Sequence, residues 1–494
     1  MVAATSSLKP LSPKKFGYAE ARHLLNRAGW GGTPQQIVAL QLMGLDAAVD
    51  YLVDYDAIPD VVPNPEYRDN ILRPYTPEER EMLRIAEERG DQETIDRLRE
   101  QQLAREREDR KQMAELRRWW LTRIIRSPRP LEEKLTLLWH GHFATNYRTV
   151  ENSYQMLKQN VFLRRHAADS FATLVMGIIR DPAMIRFLNN DSNRRSSPNE
   201  NLARELMELF TLGEGNYTEK DIKEGARALT GYGVDGNEFR FYKNQHDDGM
   251  KQIFGERGTF NGDDFAQMCL MRRSCGEFVC LKLYKHFVSD LPDGPNAPAR
   301  SVITQLARQL VRDRYRLRGV LKTLFRSEHF YDPAIMGNMI KSPTQLVAGT
   351  IRTLNTPERD LDKLLDAMAM MGQQLFDPPS VKGWNGGRAW INTSTLFIRQ
   401  NIAAYLITGK TPYERGWDRN QLDYDPMFLI EGMAINTPSA VVEHLCATVL
   451  GENVHPKRRE QLTQFLEERG GRVHRDTIIA LLLLMTAMPE YQLC

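Results

Sequence analysis

A chain of 494 residues with 66 basic and 64 acidic side chains carries a net charge of only +2, too even for a dedicated nucleic-acid binder. Apolar residues at 41% and charged residues at 26% exclude a wholly disordered chain, and the length allows a core that needs no staple. The five cysteines (Cys269, Cys275, Cys280, Cys446 and Cys494) are odd in number, which excludes a full disulfide framework, and contain no C-x-x-C pair, which argues against a four-cysteine zinc site. They read as buried thiols.

In chain order, Tyr18 to Gly29 and Thr33 to Tyr51 have apolar residues at helical spacing, the second opened by Thr33 as cap and Pro34 at the first helical position. Ile58 to Pro74 is a proline-spaced loop. Thr76-Pro77-Glu78-Glu79 is a capping-box start, and from there to Ser127 the chain is rich in Glu, Arg and Gln. This stretch predicts two long helices or a helical hairpin, with a mostly exposed and dispensable arm from Thr76 to about Arg118.

Leu131 to Trp139 reads as a helix ending at His140-Gly141-His142-Phe143, followed by helix from Glu151 to Ile179 and a polar loop from Asp181 to Ser197. Helices follow at Asn199 to Leu212 and at Thr218 to Leu229. Gly231 to Gly262 lacks helical period and predicts a short hairpin or ordered loop. Helices resume from Asp263 to Leu354, with a loop at Pro292 to Pro298, and at Leu361 to Leu375. A Gly-Trp loop then spans Val381 to Asn392. The last predicted helices are Pro438 to Leu450 and Asp476 to Met488.

The expected fold is mainly α-helical, a multi-helix protein with a charged helical arm and one irregular or hairpin insertion. Three regions are expected: 1–127 with the arm, 128–290 with the candidate site, and 291–494. The opening residues show no apolar signal region, and the longest apolar run, Ile478 to Met488, is about half the length of a spanning helix. As it stands the chain reads as cytoplasmic, with no membrane contact.

Four segments could carry chemistry. At about 100° per residue, Asn201, Glu205 and Glu208 share one arc of their helix and Arg204 flanks it. This is either a solvated face with a Glu200–Arg204 pair or a polar triad aimed into a cleft. His140-Gly141-His142 offers two imidazoles at a metal-ligand spacing, with Gly141 freeing the backbone between them. The alternative is a pair of histidines closing the helix. His246-Asp247-Asp248-Gly249-Met250-Lys251 is either a site loop or a polar turn. Trp384 and Trp390 either stack sugar rings or anchor a turn.

Together the expected site uses Glu205, Glu208 and His142 as acid–base groups. His140, His142, His246 and Glu205 would be ligands of a divalent transition metal, and Asn201, Arg204, Lys251, Trp384 and Trp390 binding residues. There is no G-x-S-x-G, Walker loop or G-x-G-x-x-G, so no nucleotide is expected.

Three stretches carry a family resemblance: Leu138-Trp139-His140-Gly141-His142-Phe143-Ala144-Thr145, Pro198 to Gly213 (PNENLARELMELFTLG), and Phe376-Asp377-Pro378-Pro379-Ser380-Val381-Lys382-Gly383-Trp384. They resemble the bacterial family catalogued as domain of unknown function eighteen-hundred, over nearly the whole chain. The resemblance implies no agreed activity. It does imply that many relatives are exported and encoded beside an alkaline-phosphatase-like protein, the expected protein partner. Two functions follow: a metal-dependent or His/Glu acid–base hydrolase, which the clustering of polar motifs favours, or a non-catalytic helical scaffold that grips a partner.

Overall fold

The computed structural model describes residues 4–410, 423–431 and 437–494. Threonine caps start helices where the sequence places them. The Thr33 hydroxyl accepts from the Gln36 amide at 3.3 Å, and the Gln36 side chain accepts from the Thr33 amide at 3.0 Å. Thr76 and Glu79 make the same reciprocal pair at 3.1 and 2.7 Å. Among the described residues these starts give 22 α-helices, and helix accounts for 62% of the structure.

Several predicted helices are interrupted. Gly44, at φ +77°, divides the second one into Pro34–Met43 and Leu45–Val53. The stretch after Glu151 divides into Ser153–Arg165 and Phe171–Ile178. The polar loop after Asp181 contains the short helix Pro182–Phe187, which Asp181 caps by accepting from the Met184 amide at 2.8 Å.

The insertion is two hairpins instead of one. β1 (Tyr232–Asp235) pairs antiparallel with β2 (Glu238–Phe241), and β3 (Lys251–Ile253) with β4 (Glu256–Gly258). The second hairpin turns through Phe254 and Gly255, both at positive φ (+50° and +86°), as a type I′ turn requires. Asp221 holds the strained Phe254 by accepting from its amide at 2.6 Å.

Two apolar cores form. One draws on residues from Leu11 to Ile335, the other on residues from Trp30 to Tyr491. The helix Pro130–His142 lies at their junction: Leu131, Leu135 and Trp139 enter the first core, Leu137 the second. A helix buried on nearly every side belongs in an interior, and it brings its polar residues with it. Glu133 is fully buried there and accepts from Arg123 Nε at 2.8 Å and Arg164 Nε at 2.9 Å.

The charged arm is shorter than predicted. Pro77–Arg89 buries only Ala86, and the 35-residue helix Gln92–Arg126 buries only Leu98 before Asp109. From Asp109 onward that helix is core, through Met113, Leu116, Trp120, Leu121 and Ile124. All five cysteines are free and buried. Among the described residues no single helix is long and apolar enough to cross a membrane.

Candidate functional site

His140-Gly141-His142 forms the last turn of its helix, and Gly141 does not free the backbone there. The helix continues through His142. Two residues apart on a helix is about 200°, so the imidazoles face opposite ways. His140 lies among Trp120, Phe376 and Trp384, with ring centroids at 5.4, 5.5 and 5.8 Å. His142 lies among Phe143, Trp139 and Phe171 at 4.5, 5.7 and 5.7 Å. Burial brings both imidazoles down to about 3, helped at His142 by the charge of Lys282, so both are neutral at neutral pH. His142 Nε2 donates to the Phe210 carbonyl at 2.9 Å, which leaves Nδ1 without its proton. Neither nitrogen of His140 has a partner among the described residues.

Gly141 is needed for close approach. A Cβ on Gly141 would sit 3.3 Å from the Trp384 ring, and one on Gly383 would sit 2.1 Å from the Gly141 carbonyl oxygen. Gly383 is also at φ +78°. The loop Phe376–Trp384 therefore lies flat on the histidine helix. Its start is tied down as well: the Tyr147 amide donates to the Phe376 carbonyl at 3.0 Å, and Arg148 Nε donates to Asp377 at 3.0 Å.

The third polar segment is not one α-helix. Asn201–Glu205 is α-helical and Leu206–Thr211 is π-helical. The widened turn shows in the Leu212 amide, which donates five residues back to the Met207 carbonyl at 2.8 Å. The Phe210 carbonyl, in the last turn of this segment, accepts from His142. Glu205 and Glu208 flank the change of pitch and are half-buried. Burial, then the charge of Glu208, pushes the Glu205 carboxyl up, against the opposing charges of Lys382 and Arg204. The Tyr217 hydroxyl donates to Glu208 Oε2 at 2.7 Å. Burial and that carboxylate push the Tyr217 phenol up, so it stays protonated and remains a donor. The three family stretches thus meet, bringing Glu205, Glu208 and Lys382 together, and Tyr217, outside them, joins through Glu208.

The remaining predicted residues lie elsewhere. Arg204 is bound to Glu219 at 2.9 and 3.0 Å and to Glu200 at 3.1 Å, so it clamps two helix starts together. Asn201 is exposed, and its amide donates to Asn199 Oδ1 at 3.0 Å. His246 Nδ1 donates to the Thr230 carbonyl at 2.8 Å, and Asp247 is paired with Arg227 at 2.7 Å. Buried Lys251 donates to the carbonyls of Asp247 and Gly249. That loop is a self-satisfied turn. Trp390 is buried and Trp384 half-buried against His140, so the two indoles do not form one exposed stacking surface. Among the described residues no three His, Cys, Asp or Glu side chains are grouped to hold a metal ion, so His140, His142, His246 and Glu205 do not make one ligand set.

Tyr217 and Lys382 were missed. Lys382 stands inside a family stretch and could have been read from it. Tyr217 follows the Gly213 stop in a segment with no periodicity to mark it. A recess of about 1000 Å³ opens beside Tyr217, walled by Lys220, Gln252, Phe254, Arg272 and Glu277.

No curated protein and no solved structure matches this chain. A family model does match, over residues 23–493, and the chain belongs to the family described as Protein of unknown function (DUF1800).

Proposed function

We propose that the chain is a hydrolase that works by proton transfer through Glu205. The observation that supports this is a half-buried carboxyl with a raised pKa, beside a second carboxylate, at a π-helical turn where three family stretches meet. A carboxyl whose pKa burial raises holds its proton more readily than an exposed one, which suits it to pass that proton to a substrate. Glu208 remains the acceptor of the Tyr217 hydroxyl, and Lys382 offers a positive charge to a developing oxyanion. The proposed substrate is an ester, amide or phosphate. A divalent metal is not needed for this chemistry, and the four residues expected to ligate one do not fit a single ion.

The test is a hydrolase substrate panel run on the wild type and on Glu205→Gln, which keeps shape and loses titration. A kcat/KM lower by about 100-fold or more, with unfolding unchanged, is expected for the loss of a general acid or base. Equal turnover by the variant would remove Glu205 from the chemistry. The scaffold reading is favoured by one observation, the sparse burial of Pro77–Arg89 and the start of Gln92–Arg126, which leaves a charged face for a protein partner.

A further inference from the structure

The recess beside Tyr217 is walled by three parts of the chain. The helix Glu219–Ala228 brings Lys220 and Asp221, the second hairpin brings Gln252 and Phe254, and the start of the helix Arg273–Phe287 brings Arg272, Arg273 and Glu277. Its volume of about 1000 Å³ exceeds what a bare inorganic ion fills and suits a small organic molecule.

Two of its three cations rest on neutral groups. Lys220 Nζ donates to Gln252 Oε1 at 2.6 Å. The Arg272 guanidinium lies over the Phe254 ring at 5.1 Å and makes no ion pair with a carboxylate among the described residues. Gln252 and Phe254 are two residues apart, so one strand end carries both supports. A guanidinium resting on a ring keeps its N–H donors for other acceptors.

The acids on the wall are already engaged. Asp221 accepts at Oδ2 from the Thr218 amide at 2.9 Å and the Thr218 hydroxyl at 2.7 Å, and at Oδ1 from the Phe254 amide at 2.6 Å. That last bond holds Phe254 at φ +50°, with its ring under Arg272. Glu277 accepts from Arg273 Nε at 3.2 Å. Lys220 and Arg272 therefore face one recess with neither charge paired.

We propose that this recess binds a small organic phosphomonoester. Two unpaired positive charges match a dianion: Arg272 offers paired planar donors and Lys220 a point charge to the phosphoryl oxygens. The volume beyond the phosphoryl group takes the organic part, against Phe254 and Tyr217. The Tyr217 hydroxyl is spent on Glu208, so binding here does not depend on proton transfer by Glu205.

The test is calorimetric titration of the full chain with phenylphosphonate, a phosphomonoester analogue whose C–P bond is not open to hydrolysis of an ester, amide or phosphate. Mildly alkaline buffer keeps it doubly charged, and inorganic phosphate is titrated in parallel. The expected result is one saturable site for phenylphosphonate, about tenfold tighter than for phosphate. Arg272→Gln and Lys220→Gln alter exposed side chains, and each should weaken it about tenfold or more. Glu205→Gln should bind as the wild type does, which keeps this result apart from the fate of the hydrolase reading. Absence of saturable heat in the wild type overturns the proposal. So does equal affinity for phosphate, unchanged binding in both cation variants, or loss of binding in Glu205→Gln.

Discussion

Gly383 and Gly141 show how much of the site rests on residues with no side chain at all. The Gly383 Cα faces the Gly141 carbonyl so closely that a Cβ would stand 2.1 Å from the oxygen, and the backbone there is at φ +78°. Backbone cannot yield as a flexible side chain can. Gly383→Ala should therefore cost on the order of 3 kcal/mol or more, combining left-handed strain with a steric clash. A urea midpoint lowered in that proportion is expected, and a loss below about 0.5 kcal/mol would show that the loop shifts freely. Glu132, on the same helix as Gly141, gives a residue-scale test in pH. Burial and then the charge of Glu133 raise it from 4.5 to about 7. A carboxyl raised on folding stabilises the protein below its unfolded pKa, and that stability drains away as pH climbs through the folded one. Wild-type stability should thus decline between pH 4.5 and about 7 more steeply than that of Glu132→Gln. Parallel curves for the two proteins would mean that Glu132 ionises in the folded state as it does in water.

Elements were legible where a local rule decides them. Thr33-Pro34, Thr76-Pro77 and Thr437-Pro438 start helices because a hydroxyl and a ring without N–H solve the same end problem whatever surrounds them. The π turn at Leu206–Thr211 was not legible, since six residues are too few for their apolar spacing to distinguish one pitch from another. The histidine pair failed for a related reason. A glycine between two histidines suggests a turn only if the helix ends there, and it ends one residue later, after His142, while Gly141 makes room for the Trp384 ring. The neighbourhood of Glu205 and Glu208 was legible because residues three apart share a helix face, whereas the phenol of Tyr217 arrives from a loop. The buried Glu133 network makes an element-scale prediction. Burial opposes its charge, but Arg164 and Arg123 overrule burial and hold the carboxyl below its usual range. Glu133→Gln leaves Arg164 buried without a carboxylate and Arg123 with Asp60 as its close one, at an expected cost of about 3 kcal/mol. Denaturant titration reads this directly, and a loss under about 1 kcal/mol would mean that Arg164 finds another acceptor.

At the scale of the molecule, the charged arm is the part whose removal the structure lets one plan. Its two helices run back along each other, and where they leave the body Arg105 Nη2 reaches Glu79 Oε1 at 2.9 Å. Everything between those residues buries only Ala86 and Leu98. Composition alone marked the whole stretch to Arg118 as solvated, because Glu and Arg dominate it throughout. The apolar stripe of Met113, Leu116 and Trp120 is too narrow to stand out against them, yet it closes the second core. Asp109 starts that anchorage, accepting from the Ser153 amide at 3.1 Å and the Tyr147 hydroxyl at 2.8 Å. Replacing residues 80–104 with a short glycine–serine loop should therefore keep one cooperative unfolding transition, with a Tm lower by only about 5 °C. Extending the deletion through Arg118 removes Met113 and Leu116, each worth about 2–5 kcal/mol of core burial, and unseats Asp109. That protein should lose its main transition in calorimetry. If the shorter deletion also abolishes the transition, the arm is part of the folding unit, and its charged face cannot be reserved for a partner.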